Sequence, residues 1–563
     1  MTLPYANGRR LELAAIGLGA LCIAYFYLLD RLIFSTVGFS PIFRFLLTAY
    51  DFTTAWLALL VCLFAVFWNR PAPVLKFVDF LGKHPLPLAT ATAVALAAGC
   101  VFVYHDYPLS MDEYAAVFQA KIFASGHTFA QLPGGVTDWL VMHGFNGSFL
   151  LASPQTGRAI EQYWPGFALV LAPFEFFGAP WICNASISGL GIYLIYWITK
   201  EITSDRRSAG WAILFALASA SFIANGISYY SMQAHLTANL LFAALLIRPS
   251  WPRVVGAGLV GSLALNLHNP VPHALFAVPW IASIGLQRKR QPHLLPLLLG
   301  YLPGVAIGLR WVLFRSDIGS GHHDLTAFAA VGGGVFLWPD VTSLNMRAAA
   351  LIKMVVWAVP CLFLFAIYGF VRNRADSRVQ LLACSALLTF VGYLLVRFDQ
   401  GHGWGYRYFH SAWGVIPILA ACAMRQRSPA NMKLISFGGA TAILSLLIMV
   451  PFQLNQIAQF ISAHLAQIGS PRRPGNNIFF IHPLGGFYVA DMVQFDPLLR
   501  DPDLYLVSHG AQLDAQLVDQ NWPTAIKISS NRAADQWYIA EDPRIPIPGR
   551  SRQRQFVFTY VPH

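Results

Sequence analysis

The chain has 563 residues, of which 56% are hydrophobic and only 11% are charged, whereas soluble domains average about 25% charged residues. This deficit excludes a soluble globular domain and, together with many separate apolar runs, predicts an integral membrane protein with several helical spans. The formal net charge of +12 suggests a nucleic-acid partner, but the basic residues are distributed along the chain as membrane-topology signals, which predicts no nucleic-acid binding.

The apolar runs predict an all-α polytopic membrane protein with about 13 transmembrane helices. The seven cysteines all fall inside these runs, which predicts small packing residues rather than disulfides or metal ligands. The spans are expected at roughly 11–29, 46–68, 85–104, 181–199, 209–230, 235–247, 254–268, 272–286, 293–313, 349–371, 378–396, 409–424 and 433–451.

Lys and Arg concentrate in the loops on one side of these spans, which are therefore cytoplasmic. The N-terminus is then cytoplasmic, and an odd number of spans places the C-terminus outside a cell inner (plasma) membrane. The loops of the opposite side hold few basic residues: Arg31, Arg44, Arg315, Arg347, Arg397 and Arg407.

This topology predicts four regions. They are N-terminal spans over 1–104, a first large outer loop over 105–180, further spans over 181–452, and an outer soluble domain over 453–563. The third region carries outer loops at 314–348 and 397–408. The last alternates the apolar runs "NNIFFIHP" and "DLYLVSH" with the helix-like "DAQLVDQ", which predicts a small α/β domain.

The first large loop opens with "MDEYAAVFQAKIFASG", where Asp112 and Glu113 stand side by side. Apolar residues recur at helical spacing behind them, which predicts an amphipathic helix on the outer membrane surface. Carboxylates in a first turn favour the helix dipole, so one interpretation makes Asp112 only an N-terminal cap. The other makes the pair catalytic.

The same loop ends in "GRAIEQYWPGFALVLAPFEFFGAPW", residues 157–181. Its apolar run is shorter than a bilayer requires, which predicts a second interfacial helix. This order of motifs resembles the C-type (GT-C) integral membrane glycosyltransferases, in particular the lipid A aminoarabinose transferase and protein O-mannosyltransferase branch. The resemblance implies Asp112 as the catalytic aspartate, Glu113 as its neighbour and Glu161 as the loop's second acid, with Tyr163 beside it. Where that branch has a Lys, this chain has Gln162, and Arg158 is the candidate to replace it.

Two further segments extend the resemblance. "GWGYRYFHSAWGVIPILAA" is similar to the family's outer Tyr-Arg-Tyr segment, which implies substrate binding by Arg407 between Tyr406 and Tyr408. "SYYSMQAHLTANL" has His235 where the family often has an Asp. A lone His at a span end is a packing residue or a ligand of substrate or metal, so a divalent ion at His235 is the candidate cofactor. His268 and Asn269 stand beside prolines at a span end, where polar groups often line cavities.

The function implied is transfer of a sugar from a polyprenyl-phosphate-linked donor to a lipid, glycan or protein acceptor on the outer (periplasmic) side of the membrane. A carboxylate base suits attack by a hydroxyl, and a planar Arg suits the leaving phosphate. Two alternatives stay open: a lipid or polysaccharide transporter or flippase, and an O-antigen ligase-like glycan transferase. Transporters usually carry ionisable groups near span midpoints, whereas here these groups cluster at one end of the spans.

Overall fold

The computed structural model describes residues 4–29, 40–68, 70–320, 338–396, 399–425, 432–471 and 475–539. Parts of the predicted loops 314–348 and 397–408, and of the predicted domain 453–563, lie outside these residues. The α-helices before residue 290 are α1 Pro4–Leu28, α2 Pro41–Leu46, α3 Phe52–Phe67, α4 Pro71–Lys83, α5 Pro85–Phe102, α6 Met111–Ala124, α7 Thr137–Leu140, α8 Gly166–Phe176, α9 Cys183–Thr203, α10 Arg206–Leu217, α11 Ala220–Gly226, α12 Met232–Ile247, α13 Trp251–Asn266 and α14 Val271–Leu286.

The remaining α-helices are α15 Leu294–Ser320, α16 Val341–Val356, α17 Leu362–Asn373, α18 Ser377–Gly392, α19 His410–Trp413, α20 Val415–Ala423, α21 Met432–Leu444, α22 Val450–Leu465 and α23 Ala511–Asn521. The strands are β1 Ala130–Gln131, β2 Leu150–Ala152, β3 Arg158–Glu161, β4 Asn477–Ile481, β5 Asp503–Val507, β6 Ala525–Ser530 and β7 Ala534–Ile539.

The chain forms two compact units. The first takes its described residues from 4–103, 181–307 and 338–457, and the second takes them from 104–180, 308–320 and 458–539. Within the described residues, seven helices are long and apolar enough to cross a membrane, or eight if the bent pair α10–α11 is one span. The helices α8, α12, α14 and α17 are apolar but shorter. The prediction of a polytopic helical membrane protein is confirmed.

Two spans predicted as continuous are broken in the first unit. The span predicted at 209–230 is the pair α10 and α11, which meet at an angle of 68°. The span predicted at 349–371 is α16 and α17, with residues 357–361 between them. Pro360 lies in the second break, and proline supplies no backbone N–H for a continuous helix.

The two breaks satisfy each other's backbone groups. The N–H of Ser221 donates to the carbonyl of Trp357 (2.9 Å), and the N–H of Val359 donates to the hydroxyl of Ser219 (3.2 Å). Backbone groups released by a broken helix must find such partners in a membrane, where water is absent. The breaks are therefore a paired feature of the fold.

A buried ion pair adjoins these breaks. The ammonium of Lys353 and the indole N–H of Trp357 donate to the two carboxylate oxygens of Asp51, each at 2.6 Å. Both charged side chains are 1% exposed. Asp51 lies inside the apolar stretch Pro41–Phe67, so one carboxylate does occur within a span, and it is fully paired there.

Glycines bring helices of the first unit into backbone contact. A Cβ added at Gly210 of α10 would overlap the carbonyl oxygen of Val78 in α4. Gly258 of α13 and Gly300 of α15 face each other, and a Cβ at either would lie 2.7 Å from the other's Cα. Close approach of this kind gives membrane helices their van der Waals packing.

The second unit combines the first large loop with the C-terminal region. Strands β1, β3 and β2 form an antiparallel sheet in that order, and a four-stranded sheet has the order β5-β4-β7-β6, with β4 and β5 parallel. The predicted C-terminal α/β region is confirmed, because "NNIFFIHP", "DLYLVSH" and "DAQLVDQ" form β4, β5 and α23.

Helix α6 shares one hydrophobic core with this sheet. The ring of Phe118 lies 5.6 Å from that of Phe495, and the Tyr114 hydroxyl donates to the Phe495 carbonyl (2.6 Å). Residues on all sides of α6 are buried, so the helix predicted here is confirmed, but it is enclosed by protein more completely than a single apolar stripe suggests.

We expect Gly210→Ala to destabilise the protein, since the new methyl group meets backbone that cannot rotate away, and overpacking costs roughly 1–3 kcal/mol. Gly17→Ala is the matched control, because nothing lies within 4 Å of the Cβ it adds. It should be neutral or stabilising by about 0.5–1 kcal/mol, as expected for Gly to Ala within a helix. Thermal unfolding in detergent measures both, and equal melting temperatures would contradict the close crossing.

Candidate active site

At the N-terminus of α6, the adjacent carboxylates of Asp112 and Glu113 have different hydrogen-bond partners. Ser110 is the N-cap, and its side chain forms a capping box with Glu113. The Glu113 carboxylate accepts from the backbone N–H of Ser110 (3.2 Å) and from the hydroxyl of Tyr104 (3.3 Å), and Glu113 is fully buried. The interpretation of Asp112 as the helix cap is therefore wrong, and Glu113 has a structural role in starting the helix.

Asp112 is half-buried and accepts a short hydrogen bond from the hydroxyl of Tyr163. Tyr163 is itself anchored, since its carbonyl accepts from the indole N–H of Trp311 (2.7 Å). The structure thus brings together two residues that the sequence places 51 positions apart. A carboxylate held by a fixed phenol has a defined direction, which a proton acceptor requires.

Glu161 ends β3 and is 1% exposed. Its backbone N–H donates to the Gln119 side chain (3.0 Å), but its Oε1 atom is buried without a hydrogen-bond partner. Burial raises the pKa of this carboxyl well above its usual value, and the nearby Arg315 opposes that rise only in part. Arg315 also has a buried N–H, at Nε, without a partner, so both side chains keep unused hydrogen-bonding capacity.

The sequence treated Arg315 only as a charge in an outer loop. In the structure it lies near the end of α15 within the second unit. Arg158, the candidate to replace the missing Lys, instead lies 4.9 Å from the ring centroid of Phe129 and forms a 3.6 Å ion pair with Asp317. Arg315 is thus the cation that acts on Glu161, and the assignment of Arg158 to the donor phosphate stays a prediction.

The Tyr-Arg-Tyr segment of the first unit is held by a tight loop. Gly405 has φ +68°, and a Cβ there would lie 3.0 Å from Ser221 and 3.4 Å from Trp357, the residues of the two helix breaks. Gln400 donates to the Gly405 carbonyl (2.9 Å) and accepts from the N–H of Arg407 (2.8 Å). The breaks thus support the loop that carries Arg407.

Arg407 is buried, and its guanidinium lies 4.4 Å from the ring centroid of Tyr230. Its NH2 group also donates to the carbonyl of Gln400. These contacts fix the plane of the guanidinium, as bidentate binding of a phosphate requires.

The flanking tyrosines bring in a second arginine. Tyr406 is buried, and the Tyr408 hydroxyl donates to the Asp399 carbonyl (2.9 Å). Arg347 lies 5.3 Å from the Tyr408 ring centroid, is 2% exposed and donates to the Val396 carbonyl (2.8 Å). In the sequence, Arg347 is only a charge in a predicted outer loop, because its partners Val396 and Tyr408 lie far along the chain.

His235 in α12 is fully buried, and neither ring nitrogen has a hydrogen-bond partner. His268 and His273 are its neighbours among the titratable side chains. His273 itself is satisfied by Asn239 and by the Tyr301 hydroxyl, each at 2.7 Å. Unsatisfied polar atoms in such an interior are costly, so His235 stays a candidate ligand beside the packing interpretation.

Gln233 of the same helix contacts His410 through its side-chain oxygen (2.9 Å), and its amide nitrogen is buried without a partner. Asn269 has a local role, because its Oδ1 accepts from the Val271 N–H (3.1 Å) at the start of α14. Over the described residues, no group of three or more His, Cys, Asp or Glu side chains could hold a metal ion. A metal site at His235 therefore gains no support there.

No protein-family model matches the sequence, and no curated protein matches it significantly. Solved structures do match. The chain is similar to ArnT from Cupriavidus metallidurans bound to undecaprenyl phosphate, with a TM-score of 0.55, 12% identity, and coverage of 82% of this chain and 99% of that one. For the apo state of ArnT the TM-score is 0.50 at 12% identity, with coverage of 80% and 98%.

These likenesses show the fold: the chain has the architecture of these ArnT structures, which is the architecture of the GT-C fold. ArnT, the protein of both structures, is a GT-C lipid A aminoarabinose transferase. The resemblance expected from the order of the motifs is therefore confirmed, and at this identity it establishes the fold.

The raised pKa of Glu161 predicts a pH-dependent stability. Its folded pKa exceeds its unfolded value, so the folded state binds the proton more tightly, and stability is lost as pH rises from about 4.5 through the folded pKa. Glu161→Gln should remove this loss and raise the melting temperature more at pH 8 than at pH 5. Asp519→Asn, at an exposed position, is the control. An equal effect of Glu161→Gln at both pH values would contradict the prediction.

Proposed function

We propose that the protein is a membrane glycosyltransferase that moves a sugar from a polyprenyl-phosphate-linked donor to an acceptor on the outer side of the membrane. The observation that carries the proposal is the division of labour at α6, where Glu113 starts the helix and Asp112 is left to a directed contact with Tyr163. The fold shared with ArnT, one structure of which is bound to undecaprenyl phosphate, supports a polyprenyl-phosphate partner.

The reaction is a single displacement. The acceptor hydroxyl gives its proton to Asp112 as its oxygen attacks the anomeric carbon. The bond from that carbon to the lipid phosphate oxygen breaks, polyprenyl phosphate leaves, and the anomeric configuration inverts. Arg407, whose guanidinium plane is fixed, is assigned to the phosphate, and Glu161, Arg158, Tyr163, Tyr406, Tyr408, His235, His268 and Asn269 are assigned to substrate binding.

The transporter alternative gains one observation, the Asp51–Lys353 pair inside an apolar stretch, since ionisable groups within spans often mark transport pathways. Both carboxylate oxygens of Asp51 are already engaged, by Lys353 and Trp357. A carboxylate in a transport pathway must bind and release a substrate or proton, and the hydrogen bonds from Lys353 and Trp357 to Asp51 disfavour this. The pair therefore fits a structural role, and the transferase is the better proposal.

Three variants at α6 test the catalytic assignment. Asp112→Asn should leave stability nearly unchanged, because Ser110 is the cap, and should reduce transfer roughly 10²–10⁴-fold through loss of the base. Ser110→Ala should lower stability by about 1 kcal/mol, because the cap is lost, and should leave transfer nearly unchanged. Glu113→Gln should be mild in both respects, since Gln also serves in a capping box.

The measurements are mass spectrometry of the glycolipids and envelope glycans of a strain lacking the protein, complemented by each variant, and thermal unfolding of each purified variant. Normal transfer by Asp112→Asn would remove Asp112 as the base. If Glu113→Gln alone abolished transfer without unfolding, the base would be Glu113.

The proposal places the protein in the inner membrane with a cytoplasmic N-terminus and an outer C-terminal region. Single cysteines at two exposed positions, Lys200→Cys and Asp519→Cys, test this in a Cys384→Ser background, because Cys384 is the exposed cysteine of the described residues. A membrane-impermeant thiol reagent added to intact cells should label position 519 and leave position 200 unlabelled until the cells are lysed. Equal labelling of both in intact cells would overturn the orientation.

A further inference from the structure

A cavity of about 370 Å³ lies within the second unit, and neither Asp112 nor Glu161 lines it. Its walls come from the last turn of α6, the last turn of α8 and the segment before β5, which contribute Lys121, Glu175, Phe176, Asp496, Arg500 and Asp501. The volume lies at the lower end of the range of small-ligand pockets. It is sufficient for a polar head group.

The charges of this cavity are only partly used within the protein. Asp496 and Arg500 form a closed pair, with Nε 2.7 Å from Oδ2. Lys121 reaches Asp501 only at 3.9 Å. Glu175 has a buried carboxylate oxygen, Oε1, without a hydrogen-bond partner. The cavity therefore offers one weakly engaged ammonium and one under-satisfied carboxylate to a ligand.

An apolar element continues from the cavity. Phe176 and Phe177 are 70% and 80% exposed, and a helix able to span a membrane begins only a few residues later, at Pro180. Exposed aromatic rings directly before a span are typical of the membrane–water interface. A ligand in the cavity would thus have its polar part among the charges and its apolar part beside these rings.

We propose that this cavity binds the head group of a zwitterionic phospholipid of the phosphoethanolamine type. The phosphate lies at Lys121, the protonated amine lies at Glu175, and the acyl chains pass Phe176 and Phe177. A head group with a phosphate alone would leave Glu175 unmatched, and one with an amine alone would leave Lys121 with only its 3.9 Å contact to Asp501. This assignment is independent of the sugar-transfer reaction.

The amine contact makes binding depend on pH. Burial raises the pKa of Glu175 to about 7, and the other charged groups acting on it are Lys121, which lowers the pKa, and Asp106, Asp496 and Asp501, which raise it. Arg500 also interacts with this carboxyl. Only the ionised carboxylate attracts an ammonium, so affinity should increase about tenfold from pH 6 to pH 8, in proportion to the ionised fraction.

The test is calorimetric titration of the full-length protein in detergent with dihexanoyl phosphatidylethanolamine at pH 6 and pH 8. Dihexanoyl phosphatidylglycerol, which has the phosphate without the amine, is the matched probe and should show no such rise. Glu175→Gln should lose the pH dependence and bind at pH 8 about tenfold more weakly than the wild type. Asp519→Asn, an exposed control, should behave as the wild type.

Equal binding of the two lipids, or an unchanged pH dependence in Glu175→Gln, would overturn the proposal. Soluble phosphoethanolamine separates the head group from the chains, and binding as tight as that of the lipid would overturn the role of the two Phe rings. If Glu175→Gln does not fold, Lys121→Gln on the opposite wall takes its place. It should weaken both lipids at both pH values, and unchanged binding would equally contradict the site.

Discussion

The first unit depends on one constraint: backbone that leaves a helix inside an apolar interior must find its hydrogen-bond partners within the protein. The breaks between α10 and α11 and between α16 and α17 meet this constraint by bonding to each other through Ser221 and Val359. Asp51 fixes the indole of Trp357 at the same place. Gly405 packs against Ser221 and Trp357, so the loop that orients Arg407 is supported by the two paired helix breaks.

In the second unit, the deciding partners are those of charged side chains. Three carboxylates of the first large loop have three different surroundings: Glu113 is consumed by the capping box, Asp112 is directed by Tyr163, and Glu161 is buried beside Arg315. Identical chemistry in adjacent positions thus acquires separate roles through the partners of each group. This separation is what a reaction site needs, because a base must be held without being neutralised.

The sequence was informative wherever the deciding interactions are local. Helix α6, the spans and the C-terminal strands follow from periodicity within a few residues, and the GT-C likeness follows from the order of short motifs. The features that the sequence did not predict depend on partners that are distant along the chain. The break at Trp357 is completed by Ser221, and the effect of burial on the pKa of Glu161 is opposed in part by Arg315. The role of Glu113 was within reach, because Ser110 stands three residues before it and such a pair is a capping-box signature. The shared core of α6 and Phe495 had no local signal at all.

Where helices cross at glycines, the fold restricts the sequence by excluding side chains. At Gly210 and at the facing pair Gly258 and Gly300, the fold requires only that no side chain be present, whereas a water-soluble core needs side chains of matched shape. On lipid-facing surfaces one apolar residue serves about as well as another, since lipid tails are as apolar as leucine. Most positions of such a bundle can therefore exchange freely over evolutionary time while a few bare ones keep the geometry. A chain built in this way can share an architecture with a protein to which it is only 12% identical, because the bare positions fix how closely the helices cross and the lipid-facing positions fix very little.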